Sequence, residues 1–132
     1  MQPEYNLITR ERFEGALQDL CLSEELGVVS YYGLAAGFLT GKYRAAADLS
    51  QGERGGTVKR YLEHPRGLRM LAALDAVAAR HDATPAAVAL AWVMTRPGVT
   101  APIASATSVA QVDALVRATQ LTLTADDLAE LD

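Results

Sequence analysis

Cysteine, histidine, aromatic residues and long apolar runs are all scarce in this chain of 132 residues. The single cysteine, Cys21, cannot close an internal disulfide, and its place among Phe13, Leu17 and Leu20 reads as core packing in a reducing compartment rather than as a reactive thiol. His64 and His81 are far apart and lack partners at metal-ligand spacing, so no metal site is expected and both read as surface or helix-end residues. No run of about 18 apolar residues occurs, and the first residues lack the basic-then-apolar order of a signal peptide. These absences predict a cytoplasmic protein with no membrane partner. Twelve basic against sixteen acidic residues give a net charge of −4, which argues against nucleic acid as a partner, since that affinity comes from neutralising phosphates with a basic surface.

What is present is apolar content enough for one domain, 50% of residues, with an uneven distribution of charge. Residues 42–69 hold seven of the twelve bases (Lys42, Arg44, Arg54, Lys59, Arg60, Arg66, Arg69) against Asp48, Glu53 and Glu63. This basic region follows GVVSYYGLAAGFLTGKY, residues 27–43, an apolar run leading into small residues and Gly-Lys. A P-loop would need a glycine at Ala36 and a serine or threonine at Tyr43, so the stretch is not one. Small residues after a strand still let backbone approach a ligand closely, and phosphate binding stands beside a simple strand-to-helix connection as its two readings. The basic region likewise reads either as a phosphate-facing surface or as a solvated helix face.

Along the chain, Thr9 is placed as an N-cap, with Ile8 and Phe13 as a hydrophobic staple, opening a helix that buries Phe13, Leu17, Leu20 and Cys21 and ends near Gly27. Residues 28–32 (VVSYY) read as a strand buried on both faces. Residues 45–57 read as a long glycine-rich loop, a candidate lid. The spacing of Leu68, Leu71, Leu74 and Ala78 predicts a helix from Arg66 to His81, and Thr84-Pro85 caps the next, which buries Val88, Ala91 and Trp92. Residues 99–104 (VTAPIA) form a second buried strand. Ser108 with Gln111 makes a capping box for a helix burying Val109, Val112, Leu115 and Val116, and Thr124 caps the last helix. Continuously apolar strands alternating with helices imply a parallel α/β sheet.

Four stretches in this order resemble the C-terminal half of an aldo-keto reductase. They are Gln2-Pro3-Glu4-Tyr5-Asn6-Leu7; Tyr31-Tyr32-Gly33-Leu34-Ala35-Ala36-Gly37 through Thr40-Gly41-Lys42-Tyr43; Thr84-Pro85 through Ala91-Trp92; and Pro102-Ile103 through Thr107-Ser108-Val109 with Gln111. The resemblance covers essentially all of residues 1–132 and is nearest to bacterial reductases related to the potassium-channel β subunits. It implies the C-terminal β/α units of a partial (β/α)8 TIM barrel, a fold that needs about 250 residues when complete. It also implies NADPH-dependent reduction of small aldehydes or ketones, NADH not being excluded.

On the same resemblance Tyr31 stacks on the nicotinamide face, and Tyr32, Gly33 and Leu34 run along the pyrophosphate. Lys42 and Arg54 close over the phosphates, Gln2 bonds the carboxamide, and Ser105, Thr107 and Gln111 surround the adenosine phosphate. Gln111 keeps its second reading as the capping-box partner of Ser108. Two departures stand out: Ala114-Leu115 replaces the pair that usually binds adenine, and neither Ser105 nor Gln111 offers a positive charge to a 2′-phosphate. The family's catalytic Asp, Tyr, Lys and His belong to the first half of the barrel, so no residue here is assigned a catalytic role. The chain is therefore expected to be a truncated portion, inactive alone, that associates with a missing N-terminal half or with itself; the alternative readings are a nucleotide-binding module without chemistry and an inert fragment.

Overall fold

The computed structural model describes residues 1–51 and 55–132. Its sheet is parallel and small. Strand β1 (Val28–Ser30) pairs with β2 (Val99–Pro102) through Val28↔Val99, Val29↔Ala101 and Ser30↔Pro102. The register slips between Val28 and Val29, where the Val28 N–H donates to Thr100 Oγ1 at 3.1 Å. On the other side of β1 the first residues run parallel to it: the N–H groups of Val29 and Tyr31 donate to the carbonyls of Met1 and Pro3 at 2.9 and 3.0 Å, and Tyr5 N–H donates to Tyr31 O at 3.2 Å.

Six helices surround this sheet among the described residues: α1 (Ala16–Ser23), α2 (Gly55–Leu62), α3 (Gly67–Arg80), α4 (Pro85–Met94), α5 (Val109–Gln120) and α6 (Ala125–Leu131). Two 3-10 segments, Ala35–Thr40 and Ala46–Gln51, lie between β1 and α2. Thr84 caps α4 as its sequence predicts, accepting from Ala87 N–H, with Pro85 at the first helical position. Every residue from Ala87 to Val93 is buried, so α4 is the central helix, flanked by α3 and α5. The core closes around Tyr5, whose ring lies 5.0 Å from Phe13 and 5.5 Å from Trp92.

Several sequence expectations are corrected. Thr9 does not cap a helix. Asn6 Oδ1 accepts from the N–H groups of Ile8 and Thr9 at 3.0 and 2.8 Å, forming an Asx turn, and Gly15, at φ 88°, delays α1 to Ala16. Leu20 and Leu68 face solvent rather than the core. The strand at 28–32 buries only one face, with Val28 and Ser30 inside and Val29, Tyr31 and Tyr32 exposed. The stretch 45–57 is not a continuous loop, since it holds the second 3-10 segment and the start of α2. On α5, Val109, Val112 and Val116 are exposed; Leu115 is half-buried and only Ala118 is fully covered. The exposure of the strand at 28–32 and that of α5 share a cause. A parallel strand and a helix written for burial on two sides have neighbours here on one side only.

Candidate functional site

The carboxyl ends of the parallel strands bring most of the sequence-predicted residues to one edge. Ser30 O accepts from Ile103 N–H at 2.7 Å, and a Cβ on Gly33 would stand 3.6 Å from Pro102 Cβ. The segments that follow β1 and β2 therefore leave the sheet side by side, the position where open parallel sheets bind ligands. Gln2, exposed, sits on the extended segment whose Met1 and Pro3 carbonyls hold Val29 and Tyr31. Tyr31 and Tyr32 both show more than a third of their surface, and their rings meet edge-to-face at 5.2 Å. Gly33 is buried, and a Cβ there would press to 3.0 Å from Leu90 Cδ2, so packing against α4 already favours glycine. Leu34 is half-buried.

The backbone after Tyr31 is unusual. Tyr32, Ala35 and Ala36 take φ of 57°, 50° and 57°, and Gly37 and Gly41 follow at 98° and 83°. Left-handed conformations at non-glycine residues cost energy and collect where a segment is shaped for a ligand. The turn is closed by its own backbone, with the N–H groups of Ala35 and Gly37 donating to Tyr32 O and Leu34 O at 2.7 and 2.9 Å. Ala36, the residue that rules out a P-loop, is itself left-handed, so a different turn occupies the place of that motif. Asn6 fixes the start of the turn, its Nδ2 donating to Tyr32 O at 3.0 Å. Lys42 lies at the end of the turn, exposed, with Nζ 4.9 Å over the Tyr43 ring. Arg54 lies outside the described residues.

Ser105, Thr107 and Gln111 are exposed on the connection from β2 to α5. Ser108 caps α5 by accepting from Gln111 N–H at 3.3 Å. Gln111 does not complete a capping box with Ser108: its Oε1 accepts from Thr107 N–H and Thr107 Oγ1 at 2.6 and 3.1 Å. Gln111 and Thr107 thus form one polar unit beside a helix N-terminus, whose N–H groups favour an anion. Two depressions, of about 320 and 180 Å³, lie among Arg66, Met70 and Asp132 and among His81, Arg117 and Leu121, away from these strand ends.

Sequence reasoning missed two charged clusters. Glu4, with its side chain 3% exposed, accepts from Tyr61 Oη at 2.7 Å and from Arg60, and faces Arg12 Nη1 at 3.0 Å. Burial, then the bond to Glu4, raises the Tyr61 phenol above its ordinary range. Asp127, also buried, accepts from His81 Nε2 at 2.6 Å, from Arg80 Nη2 at 2.9 Å and from Thr124 N–H at 2.9 Å. Burial opposes its ionisation, but these bonds prevail and hold the carboxyl well below the usual carboxylate range. His81, read as a bare helix-end residue, is thus the cap of α3 and is paired. The Thr-Ala-Asp-Asp order at 124–127 carried a signal for this capping box, whereas nothing local in the sequence linked Glu4 to residues 60 and 61.

The Aldo/keto reductase family model matches residues 1–132. The chain is 31% identical to protein tas of Escherichia coli, covering 100% of this chain and 38% of that protein. It is 30% identical to an L-glyceraldehyde 3-phosphate reductase of E. coli O157:H7, covering 99% and 40% respectively. An uncharacterised oxidoreductase of Mycobacterium bovis is 40% identical over 83% of the chain and 35% of its own length. A thermostable aldo-keto reductase crystallised with the inhibitor epalrestat superposes with a TM-score of 0.69 at 22% identity, over 99% of this chain and 38% of that one. The chain spans about two fifths of the length of these relatives. A parallel α/β fold and a profile match along its whole length show that the chain belongs to the aldo/keto reductase family of oxidoreductases.

Proposed function

We propose that residues 1–132 are the C-terminal β/α units of a (β/α)8 barrel and form the nicotinamide-binding portion of an NADPH-dependent reductase of small aldehydes or ketones. The observation that carries this reading is the exposed Tyr31-Tyr32 pair at a strand end, leading through a run of left-handed residues to Lys42. The residues fit the group. An exposed, flat phenol at Tyr31 can stack on a nicotinamide ring and fix the face it offers. The backbone from Tyr32 to Leu34 can follow a pyrophosphate, with Lys42 and Arg54 supplying charge, and Gln2 can bond a carboxamide. Ser105, Thr107 and Gln111 at the α5 N-terminus suit a phosphate on the adenosine side, although none brings a positive charge, so NADH remains the competing cofactor.

Bound nicotinamide would supply the hydride; the chain's own residues bind and orient it. Proton donation to a carbonyl needs a positioned acid. Tyr5, Tyr43 and Tyr61 are buried, and burial together with a bond to Glu14 raises the Tyr5 phenol further from neutrality, opposite to what an acid requires. The isolated chain is therefore a binder without turnover, and the remaining β/α units, with the proton donor, come from a further polypeptide segment that covers the open edge of β2 and the exposed face of α5. Self-association through the same surfaces is the competing outcome. A cytoplasmic setting accords with a buried, unpaired Cys21.

The test is titration of the chain with NADPH and with NADH, followed by fluorescence of Trp92 and the tyrosines. Binding should weaken about tenfold or less in Tyr31→Ala, as expected from roughly 0.5–1.5 kcal/mol of aromatic stacking. Reduction of 4-nitrobenzaldehyde should be undetectable. Cofactor affinity equal in parent and Tyr31→Ala would return Tyr31 to a packing role, and turnover by the purified chain would refute the division of labour.

A further inference from the structure

Glu4 has no part in the binding scheme above, yet it is the most buried carboxylate at the strand-end edge. Its backbone and side chain join two different parts of the molecule. Through the backbone, Glu4 bridges Tyr31 in parallel pairing. Through the side chain it holds α2: Oε1 accepts from Tyr61 Oη at 2.7 Å and from Arg60 Nη2, and Oε2 pairs with Arg12 Nη1 at 3.0 Å. The Arg60 guanidinium also lies 4.6 Å over the Tyr61 ring. Tyr61 in turn stacks on Phe38, centroids 6.1 Å apart and planes within 17°. Phe38 belongs to the 3-10 segment that delivers Lys42. The segment leaving β1 is thus pinned at both ends by one network, with Phe38 before Lys42 and Tyr61 on the α2 end.

Helix α2 packs on the two 3-10 segments, sends Val58 into the core and meets the start of α3 at Gly67, while Gly56, Thr57, Lys59 and Arg60 on it are exposed. A buried carboxylate is costly unless its oxygens are filled, and here two guanidinium groups and a phenol fill them, so α2 has one low-energy position against the strand edge. We infer that Glu4 is a positioning residue for the cofactor site: by tying Arg60 and Tyr61 to the strand that pairs with Tyr31, it sets where Lys42 and the phosphate-binding turn stand relative to the nicotinamide-stacking ring. The inference rests on the proposed cofactor site for its functional half, while the tether itself stands independently of that site.

The experiment compares the parent chain with Glu4→Gln, Tyr61→Phe and a control, Leu74→Val, which thins the core on α3 and removes no polar group or ring of the network. Tyr61→Phe keeps the stack on Phe38 and removes the two hydroxyl bonds, the one donated to Glu4 and the one accepted from Arg60. Amide hydrogen exchange is followed at 55–62 and at 109–120, and NADPH affinity by fluorescence. Both network variants should speed exchange at 55–62 and leave 109–120 unchanged. Both should raise the NADPH dissociation constant about tenfold, the factor expected if the binding-competent arrangement falls to about one tenth of the population. Leu74→Val should lower the melting temperature without a selective change at 55–62 and without a change in affinity. Exchange that rises uniformly in the network variants, or affinities that follow melting temperature across all three, would overturn the inference. If the parent binds neither NADPH nor NADH, the cofactor reading fails, and selective exchange at 55–62 alone decides whether Glu4 is the tether.

Discussion

Gly67 lies directly beneath the carbonyl of Tyr61: a Cβ placed on it would stand 2.2 Å from that oxygen and 3.4 Å from the Phe38 ring. The first turn of α3 therefore meets the last turn of α2 with no space for a side chain, and the obstacle is backbone, which cannot swing aside. Gly67→Ala should destabilise the fold by about 1–3 kcal/mol, the usual cost of overpacking. Gly56→Ala, in the same helical region but with nothing near its Cβ, should instead stabilise by roughly 0.4–1 kcal/mol through helix propensity and reduced freedom of the unfolded chain. Urea unfolding of the two variants checks both signs, and a stable Gly67→Ala would mean that α2 and α3 separate readily.

The second expectation concerns acid. The Asp127 carboxyl titrates well below its unfolded value of about 3.9, because His81, Thr124 and Arg80 bond its charged form. A depressed pKa contributes stability that is fully present above the unfolded value and is lost as pH falls from about 4 toward the folded value. Asp127→Asn should accordingly be less stable than the parent at pH 7, and the gap between them should narrow at pH 3. Thermal unfolding of both proteins at the two pH values measures it, and a gap independent of pH would mean that the carboxylate contributes by shape alone. Thr124→Ala, which removes the cap and one hydroxyl contact of Asp127 but not the ion pairs, should cost about 1 kcal/mol at pH 7 and less at pH 3.

The helix caps, the central helix and the two strands were legible in the sequence because their signals are local. Thr84-Pro85, Ser108 and Thr124 each sit one position before a helix, and residues 87–93 are apolar throughout. The errors have physical causes of two kinds. Asn6 outcompeted Thr9 because an Asx turn and an N-cap draw on the same side-chain chemistry. Glycines at 55 and 56 hid α2, whose position comes from the contacts of Tyr61 with Glu4 and Phe38, far away in sequence. Of the candidate site, the residue assignments come from the family resemblance and stand as proposals. The left-handed turn at Tyr32, Ala35 and Ala36 was not legible, since no propensity predicts positive φ at tyrosine or alanine.

Helix α5 offers a test of the open face. Val109, Val112 and Val116 repeat at helical spacing on its exposed side, an apolar stripe that the sequence alone assigns to a core. Val112→Lys should change the stability of the isolated chain by no more than about 0.5 kcal/mol, as for other surface positions. It should also reduce self-association, which sedimentation at two concentrations would detect. A loss of several kcal/mol would place Val112 in a contact within the chain, and unchanged association would move any self-contact to the edge of β2.

The last expectation separates phosphate binding from simple solubility at Lys42. Its ammonium is exposed, lies over the Tyr43 ring and ends the left-handed turn that begins at Tyr32. Arg117 is exposed as well, but on α5, where its Nη2 donates to Asp82 O at 2.8 Å, away from the strand ends. If Lys42 closes over a pyrophosphate, its removal takes away a charge-assisted bond of about 1.5–3 kcal/mol, and Lys42→Ala raises the NADPH dissociation constant by roughly one to two decades. Arg117→Ala should change it by less than about threefold, since an isolated surface charge contributes little. The ionic character gives a second readout. Raising the salt concentration shortens the screening length, so it should weaken binding to the parent more than binding to Lys42→Ala. Tryptophan fluorescence titrations at two salt concentrations provide all four comparisons, and equal effects of the two substitutions would leave the Gly-Lys at 41–42 as a connection whose lysine serves only the solvent.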